Sequence, residues 1–220
     1  MILKLSGNAP RAGLLTALLT VLVTTSSPAL AHHAMDGAVP TTMLQGLLSG
    51  LAHPVIGFDH LAFVVAAGVA AALSTVRFLA PAVFVGATVA GCLLALGTGS
   101  FAYTEILVAA SVALIGAILL TGRDVPASLL LALLGGAGMA HGFAYAGSII
   151  GAEATPLGAY LTGFAVVQYV LAMAAAWITR DIWRAASEVA LQPRLAGAVV
   201  AGVGATLLIE HVEKLVFPGL

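Results

Sequence analysis

Apolar positions along this chain come in runs of about twenty residues, unbroken by the polar positions that would give one wet face to a water-soluble helix, with short polar stretches between them. Five such runs, at about 78 to 98, 102 to 121, 126 to 147, 157 to 179 and 195 to 217, are long enough to cross a hydrocarbon layer of roughly 30 Å. A further run, Met43 to Val76, would be about 50 Å long as one straight helix at ~1.5 Å per residue, which overshoots the layer. A break is predicted between Pro54, which lacks a backbone donor, and Gly57, which loosens the chain. This leaves a short arm over 43 to 52 and a spanning arm over about 58 to 76, with Pro54 as the first residue of the resumed helix. The pattern therefore predicts an all-α polytopic membrane protein, a bundle of about six transmembrane helices with a broken first helix.

Composition agrees: of 220 residues 61% are hydrophobic and 8% are charged, a balance no soluble domain can carry on its surface. The formal net charge of -1, without a basic run, excludes nucleic acid as a partner and leaves the lipid bilayer as the expected surroundings. A single cysteine, Cys92, allows neither an internal disulfide nor a thiolate cage. At the amino end, Lys4 and Arg11 precede an apolar run from Leu14 to Val23 and then "TTSSPALA", the pattern of a signal peptide cleaved after Ala31. The expected organisation is a signal peptide over 1–31, a His-containing periplasmic segment over 32–42 and a transmembrane domain over 43–220. Arg77, Arg123, Arg180, Arg184 and Arg194 fall in alternate loops, which marks that side as cytoplasmic and puts both mature ends outside the bacterial inner membrane. Small residues four apart (Gly46 and Gly50, Gly86 and Ala90, Gly142 and Ala146, Gly197 and Ala201) suit close helix packing, within the chain or in a homo-oligomer.

Against this apolar background the ionisable residues stand out. An ion in hydrocarbon costs about 2.5 to 3.5 kcal/mol or more at a helix centre, so each such group needs a partner, a cavity or a bound ion. His53 lies at the predicted break, Asp59 and His60 open the first span, Glu105 is in the first turn of the third span, and His141 is in the outer half of the fourth. The last span offers only ~22 Å of apolar helix before Glu210 and His211, which places that pair in or near the outer interface. Several such groups at one depth point to an ion site. Imidazole with carboxylate suits Ni²⁺, Co²⁺ or Zn²⁺, and the lack of usable thiolates disfavours Cu⁺. Asp59 read alone also fits a cap on the resumed helix. His32 and His33, beside the amine that cleavage would free, fit either an ion-capturing end or a plain tail.

The stretch "HPVIGFDH", residues 53 to 60, resembles the H-P-x-x-G-x-D-H signature of the HupE/UreJ family of nickel and cobalt permeases, and the order of the remaining features is similar over essentially all of the mature chain. The resemblance implies ion ligands at His53, Asp59 and His60, with Glu105 matching the acidic residue that opens the third span. A second family motif, approximately H-G-x-A-H-G-x-E, appears here as "HGFAYAGS". His141 and Gly142 match it, while Tyr145 replaces a His and Ser148 replaces a Glu, and Val64 stands where the family often has Met. These departures bear on which metal is taken, with Glu153, or Glu210 and His211, as substitute ligands. The implied activity is secondary transport of a divalent cation, Ni²⁺ or Co²⁺ with Zn²⁺ as a further candidate, by a protein that needs no resident cofactor, has no phosphate-binding loop and is not an enzyme. A rival reading of the same residues is an intramembrane zinc hydrolase with His53, His60 and His141 on the metal and Asp59 activating its water.

Overall fold

A computed structural model describes residues 38–99 and 101–217. The expected signal peptide and both His32 and His33 lie outside the described residues. Seven α-helices account for nearly all of the rest: α1 Met43–Ile56, α2 Phe58–Leu73, α3 Leu79–Thr98, α4 Thr104–Thr121, α5 Ala127–Ala146, α6 Ala154–Trp177 and α7 Leu191–Val216. Helices α3 to α7 are each long and apolar enough to cross a membrane, and the pair α1 and α2, bent by 77° at their junction, makes a sixth passage if taken as one span. The surface is as apolar as a lipid-facing one must be, with Leu93, Val166, Val170 and Val199 all exposed.

The start of α1 is fixed by a reciprocal cap: Gln45 N–H donates to Thr42 Oγ1 at 3.2 Å, and Thr42 N–H donates to Gln45 Oε1 at 3.2 Å. The break falls at Gly57, the far end of the predicted stretch, and the second arm starts at Phe58 as the sequence suggests. Pro54 does not begin the resumed helix; it sits inside the last turn of α1, which runs on to Ile56. A proline near a helix end removes a single bond of the ladder, and Gly57 N–H still reaches His53 C=O at 3.1 Å, so the turn containing Pro54 survives. Gly57 itself leaves the helical region, at φ -72° and ψ 105°, and the ladder resumes with Leu61 N–H on Gly57 C=O.

Three pairings organise the bundle: α1 on α6, α3 on α5 and α4 on α7, with α2 packed among α3, α4, α6 and α7. Glycine makes these approaches close. Gly46 and Gly50 lie on the α6 backbone at Pro156 and Tyr160, Gly142 lies on α3 at Thr88 and Cys92, and Gly197 and Gly116 lie in the α4 and α7 seam. Any side chain there would strike backbone. Three of the four small-residue pairs are thus consumed inside the chain, while Gly86 faces open space. From Phe63 to Ala72 the helix α2 is almost wholly buried, and Phe84, Val112 and Leu134 pack around it.

The arginines gather at one end of the bundle. After α6 the chain makes a wider π-helical turn, Ile178–Ile182, from which Arg180 Nη1 donates to Ala72 C=O at 3.0 Å. Arg194 Nε donates to Leu120 C=O at 3.0 Å. Each satisfies a carbonyl left over at a helix C-terminus, α2 in one case and α4 in the other. Gly68 packs on Ala172, and further along both chains Ala72 meets Arg180, so α2 and α6 run in the same direction.

A histidine cluster at the broken helix

The bend at Gly57 folds the end of α1 back toward the start of α2. His53 on α1 and His60 on α2 come to a ring-centroid distance of 5.6 Å, where a straight helix would have held them about 10 Å apart along its axis. From α5, His141 reaches the same place, its Nδ1 at 2.8 Å from His60 Nδ1. The residues are 4% exposed at His53, 7% at Asp59, 3% at His60 and 0% at His141, so the cluster is inside protein rather than turned to lipid. Asp59 Oδ1 accepts from the His60 backbone N–H at 2.7 Å and also lies 4.0 Å from His60 Nε2. The carboxylate therefore takes up one of the free N–H groups in the first turn of α2, whose N-cap is Gly57, and also faces an imidazole. Gly57 is required by this arrangement, because a Cβ there would come within 2.7 Å of His60 Cδ2 and 3.0 Å of Asp59 Oδ1.

Two hydrogen-bond chains, each ending on a backbone carbonyl, orient the rings. Ser111 of α4 donates its single hydroxyl proton to Val108 C=O at 2.7 Å, so its oxygen accepts from His141 Nε2–H at 3.0 Å. His141 Nδ1 is then an acceptor, the shared proton belongs to His60 Nδ1, and in the neutral ring the His60 lone pair falls on Nε2, beside Asp59. Likewise Tyr160 of α6 donates to Tyr145 C=O at 2.9 Å and accepts from His53 Nδ1–H at 2.9 Å, which puts the His53 lone pair on Nε2. Ser148 Oγ stands 3.2 Å from the same His53 nitrogen. Partners of this kind fix the tautomer of a metal-binding imidazole and the direction of its lone pair.

Tyr145 fills the space between these rings. It stacks on His60 at 4.3 Å and 29°, meets His53 edge-on at 4.7 Å and 78°, and lies against Phe164 at 5.2 Å and 12°. Its hydroxyl is buried with no hydrogen-bond partner among the described residues. The two positions where the chain departs from the second motif, Tyr145 and Ser148, thus both touch His53, and the departures are part of the cluster itself.

Other sequence-predicted ligands are elsewhere. Glu105 is in the first turn of α4 but exposed. It is six residues from Ser111, about 240° around the helix, so it shares no face with the residue that reaches His141. Glu153 is the exposed N-cap of α6. On α7 the last buried residue is Gly204, and beyond it Glu210 is exposed while His211 turns its Nδ1 to Leu207 C=O at 2.7 Å. Among the described residues no three His, Cys, Asp or Glu side chains are arranged to hold one metal ion as they stand. His141, with one nitrogen on His60 and the other on Ser111, orients a neighbour instead of joining His53 and His60 in the three-histidine set that the hydrolase reading needs. Ser111, Tyr160 and a fully buried Gln168 are not among the residues the sequence singles out; their signal is a polar side chain in the middle of an apolar run.

A family model described as HupE / UreJ protein matches residues 19–207. No curated protein and no solved structure compared with the chain gives a match.

Proposed function

The chain belongs to the HupE/UreJ family, a transporter-type membrane family generally linked to nickel and cobalt uptake, and we propose that it is a secondary permease carrying Ni²⁺ or Co²⁺ inward across the bacterial inner membrane, with His53, His60 and Asp59 as its ion site. One observation carries the assignment of the site: a buried pair of imidazoles held 5.6 Å apart at a helix break, each steered by a hydrogen bond on Nδ1 so that Nε2 keeps its lone pair. Two imidazoles that share one ion each stand about 2.0 to 2.1 Å from it through nitrogen, a span compatible with that ring separation. Rotation of Asp59 away from the His60 N–H would bring a carboxylate to the same point and complete a nitrogen and oxygen donor set suited to Ni²⁺ and Co²⁺.

In this mechanism the ion sheds water at the end of the bundle opposite the arginines, replaces it with the two imidazoles and the Asp59 carboxylate, and leaves toward the arginine end. The negative carboxylate offsets part of the cost of holding a divalent cation away from water. Gly57 is the hinge, since the helical ladder is already interrupted there and a change in the 77° bend moves His53 relative to His60.

The test is uptake of Ni²⁺, Co²⁺ and Zn²⁺ into proteoliposomes that enclose a metal-sensitive fluorophore. His53→Ala and Asp59→Asn are each expected to reduce the initial rate for the carried ion by about ten-fold or more, the scale on which lost ligands and their supports act. Uptake that survives both substitutions rejects this site.

A further inference from the structure

We propose that the Gln168 carboxamide is a second station on the ion's route, near the middle of the membrane, which receives the cation or its remaining bound water after it leaves the histidine cluster. The proposal rests on the permease reading above. Gln168 is 0% exposed, and neither its Nε2 nor its Oε1 has a hydrogen-bond partner among the described residues. Leaving a buried amide unsatisfied in a membrane bundle costs several kcal/mol, and a leucine of similar volume would avoid that cost. Something that visits the site must give the amide a use.

Its position shows what that visitor would be. Along α6 the inward residues recur every fourth position: Tyr160 holds His53, Phe164 packs on Tyr145, and Gln168 follows one turn further toward the arginines. By helix rise Gln168 is about 20 Å from Ala154 and about 18 Å from Arg180, so it sits at mid-span, about 12 Å beyond Tyr160. Since α2 runs parallel to α6 with Gly68 on Ala172, one turn back on both helices sets Val64 at the level of Gln168. Val64 is fully buried and offers no polar atom, so the carboxamide is the polar group of this level on the two helices. An amide oxygen is a neutral, hard donor, weaker for Ni²⁺ or Co²⁺ than imidazole. Weak holding is what a passing ion requires, because a station must be favourable enough to enter and loose enough to leave.

Wild type, Gln168→Leu, Gln168→Asn and His53→Ala are compared in proteoliposomes for the initial rate of Ni²⁺ and Co²⁺ uptake, and in detergent for equilibrium binding of the same ions. Gln168→Leu is expected to keep ion affinity within about two-fold of wild type while uptake falls by about ten-fold or more, with Gln168→Asn, which retains the carboxamide, between the two. A Gln168→Leu protein that carries the ions at the wild-type rate, while His53→Ala does not, would show that the amide only holds a fixed water and would overturn the proposal. Full uptake by His53→Ala would instead overturn the permease site and this inference with it. If the leucine protein does not elute as a folded species, Gln168→Ala serves in its place, read by the same two measurements.

Discussion

Replacing Gly57 by alanine is the most economical probe of the cluster, because it adds one methyl group and removes no ligand. That methyl carbon would lie 2.7 Å from His60 Cδ2 and 3.0 Å from Asp59 Oδ1, where ordinary contact begins at 3.4 Å. The imidazole must then retreat by about 0.7 Å, more than the ~0.5 Å within which a binding constellation has to be held. The backbone does not oppose the change, since φ of -72° is open to alanine, and the stiffer unfolded chain returns about 0.4 to 1 kcal/mol. Stability should therefore change little while Ni²⁺ or Co²⁺ affinity falls on the order of 10- to 100-fold, the usual effect of displacing a ligand's support. Isothermal titration of detergent-purified protein measures the affinity, and a thermal melt checks the fold. Gly86→Ala, in open space, is the matched control and should bind as wild type does. A Gly57→Ala protein with wild-type affinity would refute the claim that His60 and Asp59 form the site in this geometry.

Two further outcomes follow from the same contacts. Tyr160→Phe deletes the oxygen that accepts from His53 Nδ1–H and should weaken ion binding by roughly 10-fold or more, with the loss seen in titrations and the fold intact by melting; an unchanged affinity would mean that Ser148 alone orients His53. Tyr145→His puts a third imidazole between His53 and His60 in place of an unpartnered hydroxyl, and should tighten Ni²⁺ binding by about ten-fold or more; weaker binding would show that the stacked phenol ring is itself needed to hold His60.

The span limits were legible because the bilayer sets them: an apolar run of about twenty residues has few other uses, and five of the spans were read to within a few residues. The break was legible as a region but not as a residue. Pro54 and Gly57 were both read as disrupting the helix, whereas losing one donor in a last turn is tolerable and the glycine alone carries the change in ψ. The histidines were legible for an energetic reason, since buried ionisable groups must find one another, and His53, Asp59, His60 and His141 do. The structure does not bring Glu105, Glu210 and His211 to the cluster. Near a membrane surface the energetic rule loses its force, and those residues have water or a backbone carbonyl within reach. Ser111, Tyr160 and Gln168 could not have been assigned from sequence, because a neutral polar side chain in a span is cheap enough to be incidental until its partner is known.

One consequence of the gap at Gly57 is electrical. Between the Gly57 N–H bond to His53 C=O and the Leu61 N–H bond to Gly57 C=O, the ladder skips the carbonyls of the last α1 residues and the amides of the first α2 residues. A partly negative helix end, worth up to about half an elementary charge, thus meets a partly positive one of similar size. A dication nearby is drawn to the α1 side and repelled by the α2 side, and Asp59, seated in the first turn of α2, offsets the repelling half. Straightening the chain at this point would rejoin the ladder, erase both fractional charges and leave the aspartate's field uncompensated, so the break shapes the local potential as well as the path of the backbone.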